Sequence, residues 1–296
     1  MSTIEKALAK QQQNKTKSAS TDEKEVPATV EPTIATQNTQ STVEATDVAN
    51  DGKMITLNGD RLNERGFIFG TDGAHHIQEE FRHIKRKLLN NAFGAAAKTL
   101  KHSNLVMITS TNPNEGKTFV AINLALSIAL EQDKTVLLVD ADVLRPSIQR
   151  ELEYENKFGL LEFLLDEAES LSDVIYNTSI SNLKLIPAGK PHHLTNELLA
   201  SEKMAALAQE LAARYPDRIV IFDCPPILGV TETPVLSSLV GQAVVVVEES
   251  KTKVANIKKA VTQLDENIAI GFVMNKTIKS KKDEYGYYGY GYGKNN

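Results

Sequence analysis

The 296-residue chain contains no tryptophan and one cysteine, Cys224. A single thiol excludes an internal disulfide, and equally a zinc or iron–sulfur centre built from two thiolates of one chain. Aromatic residues make up 6% of the sequence and are missing altogether from residues 1–66. Residues 11–50 are dominated by Thr, Ser, Gln, Glu, Lys, Ala and Val. Such a segment cannot bury enough apolar area to offset its ordering entropy. We therefore expect a disordered, low-complexity linker over 11–70, with the folded part beginning near residue 70. Long apolar runs are missing as well: none approaches the roughly 20 residues of a membrane span. The first residues also lack the basic-then-apolar layout of a signal peptide. The expectation is a cytoplasmic protein that reaches the inner membrane peripherally, through a partner. Nor is there a basic excess. The formal net charge is −5, which gives no reason to expect nucleic acid as a partner.

What is present is 41% apolar residues, enough for one good-sized core. Residues 1–10, MSTIEKALAK, place Ser2 and Glu5 in capping-box spacing with Ile4, Ala7 and Leu8 on one helical face. A short N-terminal helix is expected there, either a docking peptide or a frayed end. Residues 76–91 read as a helix, with Ile77, Phe81, Ile84 and Leu88 on the apolar side and Glu79, Arg82, Lys85 and Arg86 on the polar side. From Leu105 onward, short β-branched runs alternate with helical patterns: LVMIT, TVLLVD, LKLIP, RIVIFD, AVVVVEE and IAIGFVMNK. Strands that are apolar throughout and alternate with helices predict an α/β fold, a doubly wound, mainly parallel sheet with helices on both faces. In such sheets ligands sit beyond the C-terminal ends of the strands. The predicted domain covers 71–278, followed by a flexible Tyr/Gly-rich tail over 279–296.

The strongest chemical signal is TSTNPNEGKTFVAINLA, in which Asn114, Glu115, Gly116, Lys117, Thr118 and Phe119 join a strand to a helix. Backbone N–H groups of such a loop, together with the positive end of the helix, make a phosphate cradle. Lys117 would reach the β- and γ-phosphates of ATP, and the Thr118 hydroxyl would hold Mg²⁺. Thr111 stands where the first glycine of the standard loop is expected. VLLVDADVLRP places Asp140 and Asp142 at the end of the next strand, and RIVIFDCPP places Asp223 at the end of a later one. All three should face the same edge as the loop. Mg²⁺ is expected at Thr118, Asp140 and Asp223, since it dehydrates reluctantly and takes few protein ligands.

A tyrosine hydroxyl has a reference pKa of about 10, so its attack near neutral pH benefits from a carboxylate that takes its proton. Asp142 is assigned as that base, with Asp140 on the metal. Arg145 either stabilises charge on the transferring group or is a plain loop arginine. Tyr285, Tyr287, Tyr288, Tyr290 and Tyr292 are five of the eight tyrosines in the chain and lie in its last twelve residues. Interleaved with glycines, they cannot form a regular buried face. They read as phosphoacceptors, with a low-complexity sticky tail as the simpler alternative.

With these residues assembled, the sequence resembles the bacterial tyrosine kinases of exopolysaccharide synthesis, and within them the exosortase-associated tyrosine autokinases. The family motifs map onto 109–118 for Walker A, 136–145 for Walker A′, 219–223 for Walker B, and the tyrosine tail. The resemblance implies autophosphorylation of that tail with ATP and Mg²⁺, and control of polysaccharide export and chain length. It also implies a separate chain-length-determinant membrane activator, and external substrates such as a tyrosine phosphatase or sugar-modifying enzymes. EEFRHIKR resembles the family's E-x-x-R-x-x-R helix, which assembles subunits into a ring. Glu79, Arg82 and Lys85 occupy that spacing, with lysine for the last arginine and a solvated helix face as the other reading. Leu144 stands where relatives have a second arginine, and Asn114 replaces a common glycine. Asn275 falls where related P-loop proteins contact the base, or else caps its strand.

Two other classes stay open on sequence alone. One is a switch ATPase resembling the partitioning and septum-site proteins, which carry a signature lysine where this chain has Asn112. The other is a nucleotide-dependent adaptor without kinase activity.

Overall fold

The computed structural model describes residues 54–69 and 75–278. The expected N-terminal helix over 1–10, most of the 11–70 linker and the tyrosine tail lie outside the described residues.

Eight strands form one sheet in the order β1-β4-β5-β3-β6-β2-β7-β8. They are β1 (Met54–Ile55), β2 (Leu105–Ser110), β3 (Thr135–Asp140), β4 (Tyr176–Thr178), β5 (Leu183–Ile186), β6 (Arg218–Asp223), β7 (Gln242–Glu248) and β8 (Ala269–Asn275). Every neighbouring pair is parallel except β4 with β5. Nine α-helices are described: α1 (Gly59–Glu64), α2 (His75–Phe93), α3 (Lys117–Ala129), α4 (Ile148–Leu152), α5 (Leu160–Leu164), α6 (Thr195–Leu199), α7 (Glu202–Ala213), α8 (Glu232–Ser237) and α9 (Val254–Val261). The predicted doubly wound sheet is therefore observed.

Strands β2 and β6 are buried along their whole length, which is why they read as unbroken apolar runs rather than as an alternation. Alternate side chains feed two cores. Val106 and Ile108 of β2 join the cluster under α2 and α3, whereas Leu105 and Met107 join the cluster that contains Leu160, Leu207 and Leu236. Helix α3 is buried from Val120 to Ala129, wedged between the sheet and α2. Its apolar surface on all sides is what such a position requires.

One expectation is corrected. Residues 54–69 belong to the fold, so it does not begin near residue 70. Strand β1 pairs with β4 at the sheet edge, and Ile55, Leu57, Leu62, Phe67 and Ile68 are all buried. Asn58 caps α1 by accepting a hydrogen bond from the Arg61 backbone N–H at 3.2 Å. The polar composition of residues 11–50 does not extend to this arm, which carries its own apolar residues.

The register of the central strands positions the site. Asp140 and Asp223 are neighbours across the β3–β6 pair, and Asp223 lies beside Ile108 of β2. Because these strands run in the same direction, their last residues emerge on one rim.

Candidate active site

Residues 111–116 connect β2 to α3. Asn114 and Gly116 take the left-handed conformation, at φ +66° and +91°. Asparagine is among the few side chains that adopt it readily, which explains how Asn114 replaces a glycine. At Gly116 a Cβ would lie 2.1 Å from Asn275 Nδ2, so any replacement would take a strained positive φ and push the Asn275 side chain off the loop. The Glu115 carboxylate is turned away from the loop's open side. It accepts from the Asn112 backbone N–H at 2.8 Å, from Asn112 Nδ2 at 2.7 Å and from Thr252 Oγ1 at 2.6 Å. Its side chain thus braces the loop from within and ties it to Thr252. On the far side, Asn275 Nδ2 donates to the Glu115 carbonyl at 2.9 Å and Lys276 Nζ to the Asn114 carbonyl at 2.6 Å. Of the two readings of Asn275, the structure shows a side chain engaged with the loop's backbone at the end of its strand.

Lys117 stands at the first turn of α3. Its Nζ is 2.6 Å from Asp142 Oδ2 and 3.5 Å from Asp223 Oδ1. The Thr118 hydroxyl donates to Asp223 Oδ2 at 2.7 Å. Asp140 Oδ2 accepts from the Ile148 N–H at 3.2 Å, whereas its Oδ1 has no hydrogen-bond partner; Asp223 Oδ1 has none either beyond the Lys117 ion pair. Loop, lysine and all three carboxylates therefore converge on one rim. They differ in depth. Asp142 opens to a cleft of 620 Å³ also lined by Asn114, Gly116, Lys117, Thr118 and Arg145, and Asp140 and Asp223 form a fully buried floor beneath it.

The charge balance is uneven. Burial by itself would lower the Lys117 pKa, but Asp223, Asp142 and Asp140 outweigh it and hold the ammonium above its ordinary value. Asp140 is pushed well above the carboxylate range by burial and then by Asp223. Asp223 is raised by burial, against the pull of Lys117 and the Thr118 hydrogen bond. One cation thus faces three carboxylates, two of which have an oxygen without a hydrogen bond. This arrangement suits a divalent cation. Among the described residues no group of three or more His, Cys, Asp or Glu side chains could hold a metal by itself.

The remaining predicted residues fall as follows. Phe119 lines the same cleft, with its ring packed against Phe67 and Phe81 at centroid distances of 5.4 and 6.5 Å. Glu79 and Arg82 pair with each other on the exposed face of α2. Lys85 does not share that face, which corrects its reading as an assembly contact. It is buried, donating to the Ser127 carbonyl at 2.7 Å and pairing with Glu131. The physical reason is the C-terminal end of α3, whose free carbonyls and negative dipole attract a cation. The tail tyrosines are outside the described residues. Sequence reasoning missed Arg65 and Phe67, which line the cleft from the N-terminal arm, and Pro225 and Pro226, which line it from the end of β6. The run Gly66-Phe67-Ile68-Phe69, an apolar cluster after a turn glycine, was the available signal for the arm.

Comparisons with known proteins bear on what this rim does. The family described as AAA domain matches residues 104–285. The tyrosine-protein kinase YwqD of Bacillus subtilis is 35% identical over 234 residues, which cover 78% of this chain and 94% of that protein. The chain belongs to the bacterial tyrosine-protein kinases. The putative tyrosine-protein kinase CapB of Staphylococcus aureus is 31% identical over 214 residues, covering 72% of this kinase and 90% of that one. Against the tyrosine-protein kinase Wzc of Salmonella typhimurium, at 31% identity, the match spans 26% of that longer protein. Among solved structures, the chimerical protein CapA2B2 superimposes with a TM-score of 0.63 at 26% identity, covering 77% of this chain and 94% of that one. The kinase domain of Escherichia coli Etk gives 0.60 at 25%, covering 81% and 94%. The septum site-determining protein MinD of Pyrococcus horikoshii, solved with Mg-ADP, gives 0.50 at 23% over 60% of this chain and 72% of that one, a likeness of fold alone.

Proposed function

We propose that this protein transfers the terminal phosphoryl group of ATP to tyrosine hydroxyls, first among them Tyr285, Tyr287, Tyr288, Tyr290 and Tyr292 of its own tail. The observation that carries the reading is the contact of Lys117 with both Asp142, which lines the cleft, and Asp223 in its buried floor, at the end of the loop that joins β2 to α3. Each residue then has a task. The loop amides and Lys117 hold the phosphates, and Lys117 offsets charge that builds on them during transfer. Thr118 and Asp223, already joined by a hydrogen bond, would hold Mg²⁺, with Asp140 supporting from behind. Bound there, Mg²⁺ supplies positive charge to the phosphate oxygens. Asp142 accepts the tyrosine proton, being the one of the three carboxylates that opens to the cleft, and Arg145 lies on the same wall.

We place the kinase at the cytoplasmic face of the inner membrane, recruited and activated by a separate chain-length-determinant-type protein. It assembles there as a homo-oligomeric ring through the Glu79 and Arg82 face of α2, and it controls exopolysaccharide synthesis, export and chain length. A tyrosine phosphatase and sugar-modifying enzymes are the external substrates of this reading, and the segment MSTIEKAL supports the exosortase-associated subgroup. A switch ATPase is disfavoured at a specific position. Asn112 stands where that class has its signature lysine, and its side chain is spent inside the loop on Glu115.

The test is direct. Purified protein incubated with Mg·ATP is expected to acquire phosphotyrosine, and removal of residues 285–296 to eliminate most of it. Label that persists elsewhere after truncation defeats the tail as acceptor. Free phosphate without any phosphotyrosine supports the switch ATPase instead.

A further inference from the structure

The N-terminal arm lies outside the residues matched by the AAA domain, yet it builds one wall of the cleft. It docks on two parts of the machinery. Phe67 packs on Phe119 of α3, and the Ile68 N–H donates to Asn123 Oδ1 of the same helix at 2.8 Å. Between α1 and these contacts the chain turns at Gly66, at φ +79°, and the turn presents Arg65 to α4. The Arg65 guanidinium donates to the carbonyls of Arg150 and Glu151 at 3.0 and 3.1 Å, and pairs with the carboxylates of Glu151 and Glu153.

Helix α4 has five residues, too few to be stable alone. Its last carbonyls have no partner within the helix, and a cation is favoured at that end. Arg65 supplies both a cation and donors. At its other end α4 is tied to the site, where the Ile148 N–H donates to Asp140 Oδ2. The segment between Asp140 and Ile148 carries Asp142 and Arg145. Its first half is anchored, with the Ala141 N–H donating to the Asp223 carbonyl at 2.9 Å, Asp142 paired with Lys117 and Val143 buried, whereas 144–147 is held by few bonds of its own. The Arg145 N–H donates to the Asp142 carbonyl at 3.0 Å and to Asp142 Oδ1 at 3.2 Å, and the Ser147 hydroxyl donates to the Arg145 carbonyl at 3.1 Å.

We propose that Arg65 is a positioning residue for phosphoryl transfer: by clamping the C-terminal end of α4 it fixes the Asp142–Arg145 loop against the cleft. The inference rests on the kinase reading above and deepens it. Residues 111–118 meet the clamped loop through the Lys117–Asp142 ion pair but are braced separately by Thr252, Asn275 and Lys276, so rate should respond more strongly than phosphate binding when the clamp is removed. Misplacing a catalytic group by about 1 Å costs on the order of a hundredfold in rate.

The test uses the full chain as wild type, Arg65→Ala and Arg65→Lys, with a tyrosine peptide as added acceptor. For Arg65→Ala we expect kcat to fall by about ten- to a hundredfold. The Kd for Mg·ATP should rise by much less than kcat falls, although Arg65 lines the cleft, and amide exchange over 141–152 should accelerate while β2, β3 and β6 keep their protection. Arg65→Lys should recover part of the rate only, because an ammonium cannot reproduce the forked donors of a guanidinium. Unchanged kcat and unchanged exchange in Arg65→Ala overturn the proposal. So does a loss of Mg·ATP affinity as large as the loss of rate, which marks a general loosening of the fold. If the wild type forms no phosphotyrosine, the kinase reading fails by itself. The exchange pattern then decides whether Arg65 holds the loop: acceleration confined to 141–152 supports the clamp, and none refutes it.

Discussion

The two rims of the central sheet are built on opposite principles. At the N-terminal ends of the strands, the buried side chains of Asn104 and Gln242 are hydrogen-bonded. Asn104 Nδ2 donates to the carbonyls of Ala212 and Arg218, both at 3.1 Å. Gln242 donates to the carbonyls of Leu88 and Ser103 and accepts from Asn91. The Arg218 guanidinium lies 3.6 Å from the centre of the Tyr215 ring. At the C-terminal ends, Thr111 Oγ1, Asp140 Oδ1 and Asp223 Oδ1 are buried without a hydrogen-bond partner. Leaving such groups unmade costs about 1–3 kcal/mol each. A fold that completes one rim and leaves the other incomplete has one edge made for stability and one made for a ligand whose charge and donors complete it.

Substitutions at the two rims should therefore separate function from stability. The largest effect is expected at Lys117→Met, where phosphotyrosine formation in Mg·ATP should drop by about a thousandfold or more, the scale of a lost electrostatic group at a transferring centre. A variant that still labels itself at a tenth of the wild-type rate would show that the C-terminal rim is not the catalytic one. The converse change is Asn104→Ala at the other rim. It should cost about 1–3 kcal/mol in denaturant unfolding, because two buried carbonyls lose their donor, while the KM for ATP stays unchanged. A shift in KM without loss of stability would break the comparison from the other side.

The smallest effect concerns pH. Asp140 and Asp223 hold their protons above the ordinary carboxylate range because of burial, so between that range and their raised values the folded state binds more protons than the unfolded one. Stability of the ligand-free protein should then fall as pH rises through that window. Lys117, raised rather than lowered, stays charged throughout it and adds no slope. In thermal unfolding from about pH 4.5 to 8, Asp140→Asn should gain stability relative to wild type as pH increases. A constant difference between the two would mean that the Asp140 carboxyl is already ionised in the folded state.

The rim proposed to carry the chemistry was also the more legible one. The runs LVMIT, TVLLVD and RIVIFD are apolar throughout because β2, β3 and β6 are covered on both faces. Parallel strands then force Asp140, Asp142 and Asp223 onto the edge that holds Lys117. Depth was not legible. Asp140 and Asp142 are two residues apart in sequence, and only the turn into α4 puts one in the floor and the other at the cleft. The arm escaped notice because a two-residue strand and a six-residue helix carry too little periodicity to register. Its stability comes from partners far away in sequence, β4, Asn123 and Phe119. Lys85 was misplaced for a related reason. Its helical spacing groups it with Arg82, but the carbonyl of Ser127 on another helix draws it inward.

The central claim is that the C-terminal rim is completed by a divalent cation brought with the nucleotide. It is tested most directly by measuring ATP affinity with and without Mg²⁺, in the wild type and in Asp223→Asn. The account predicts that Mg²⁺ tightens ATP binding to the wild type by about tenfold or more, within the usual range of coupling between two ligands, and that most of this gain disappears in the variant. An equal gain in both proteins would contradict it.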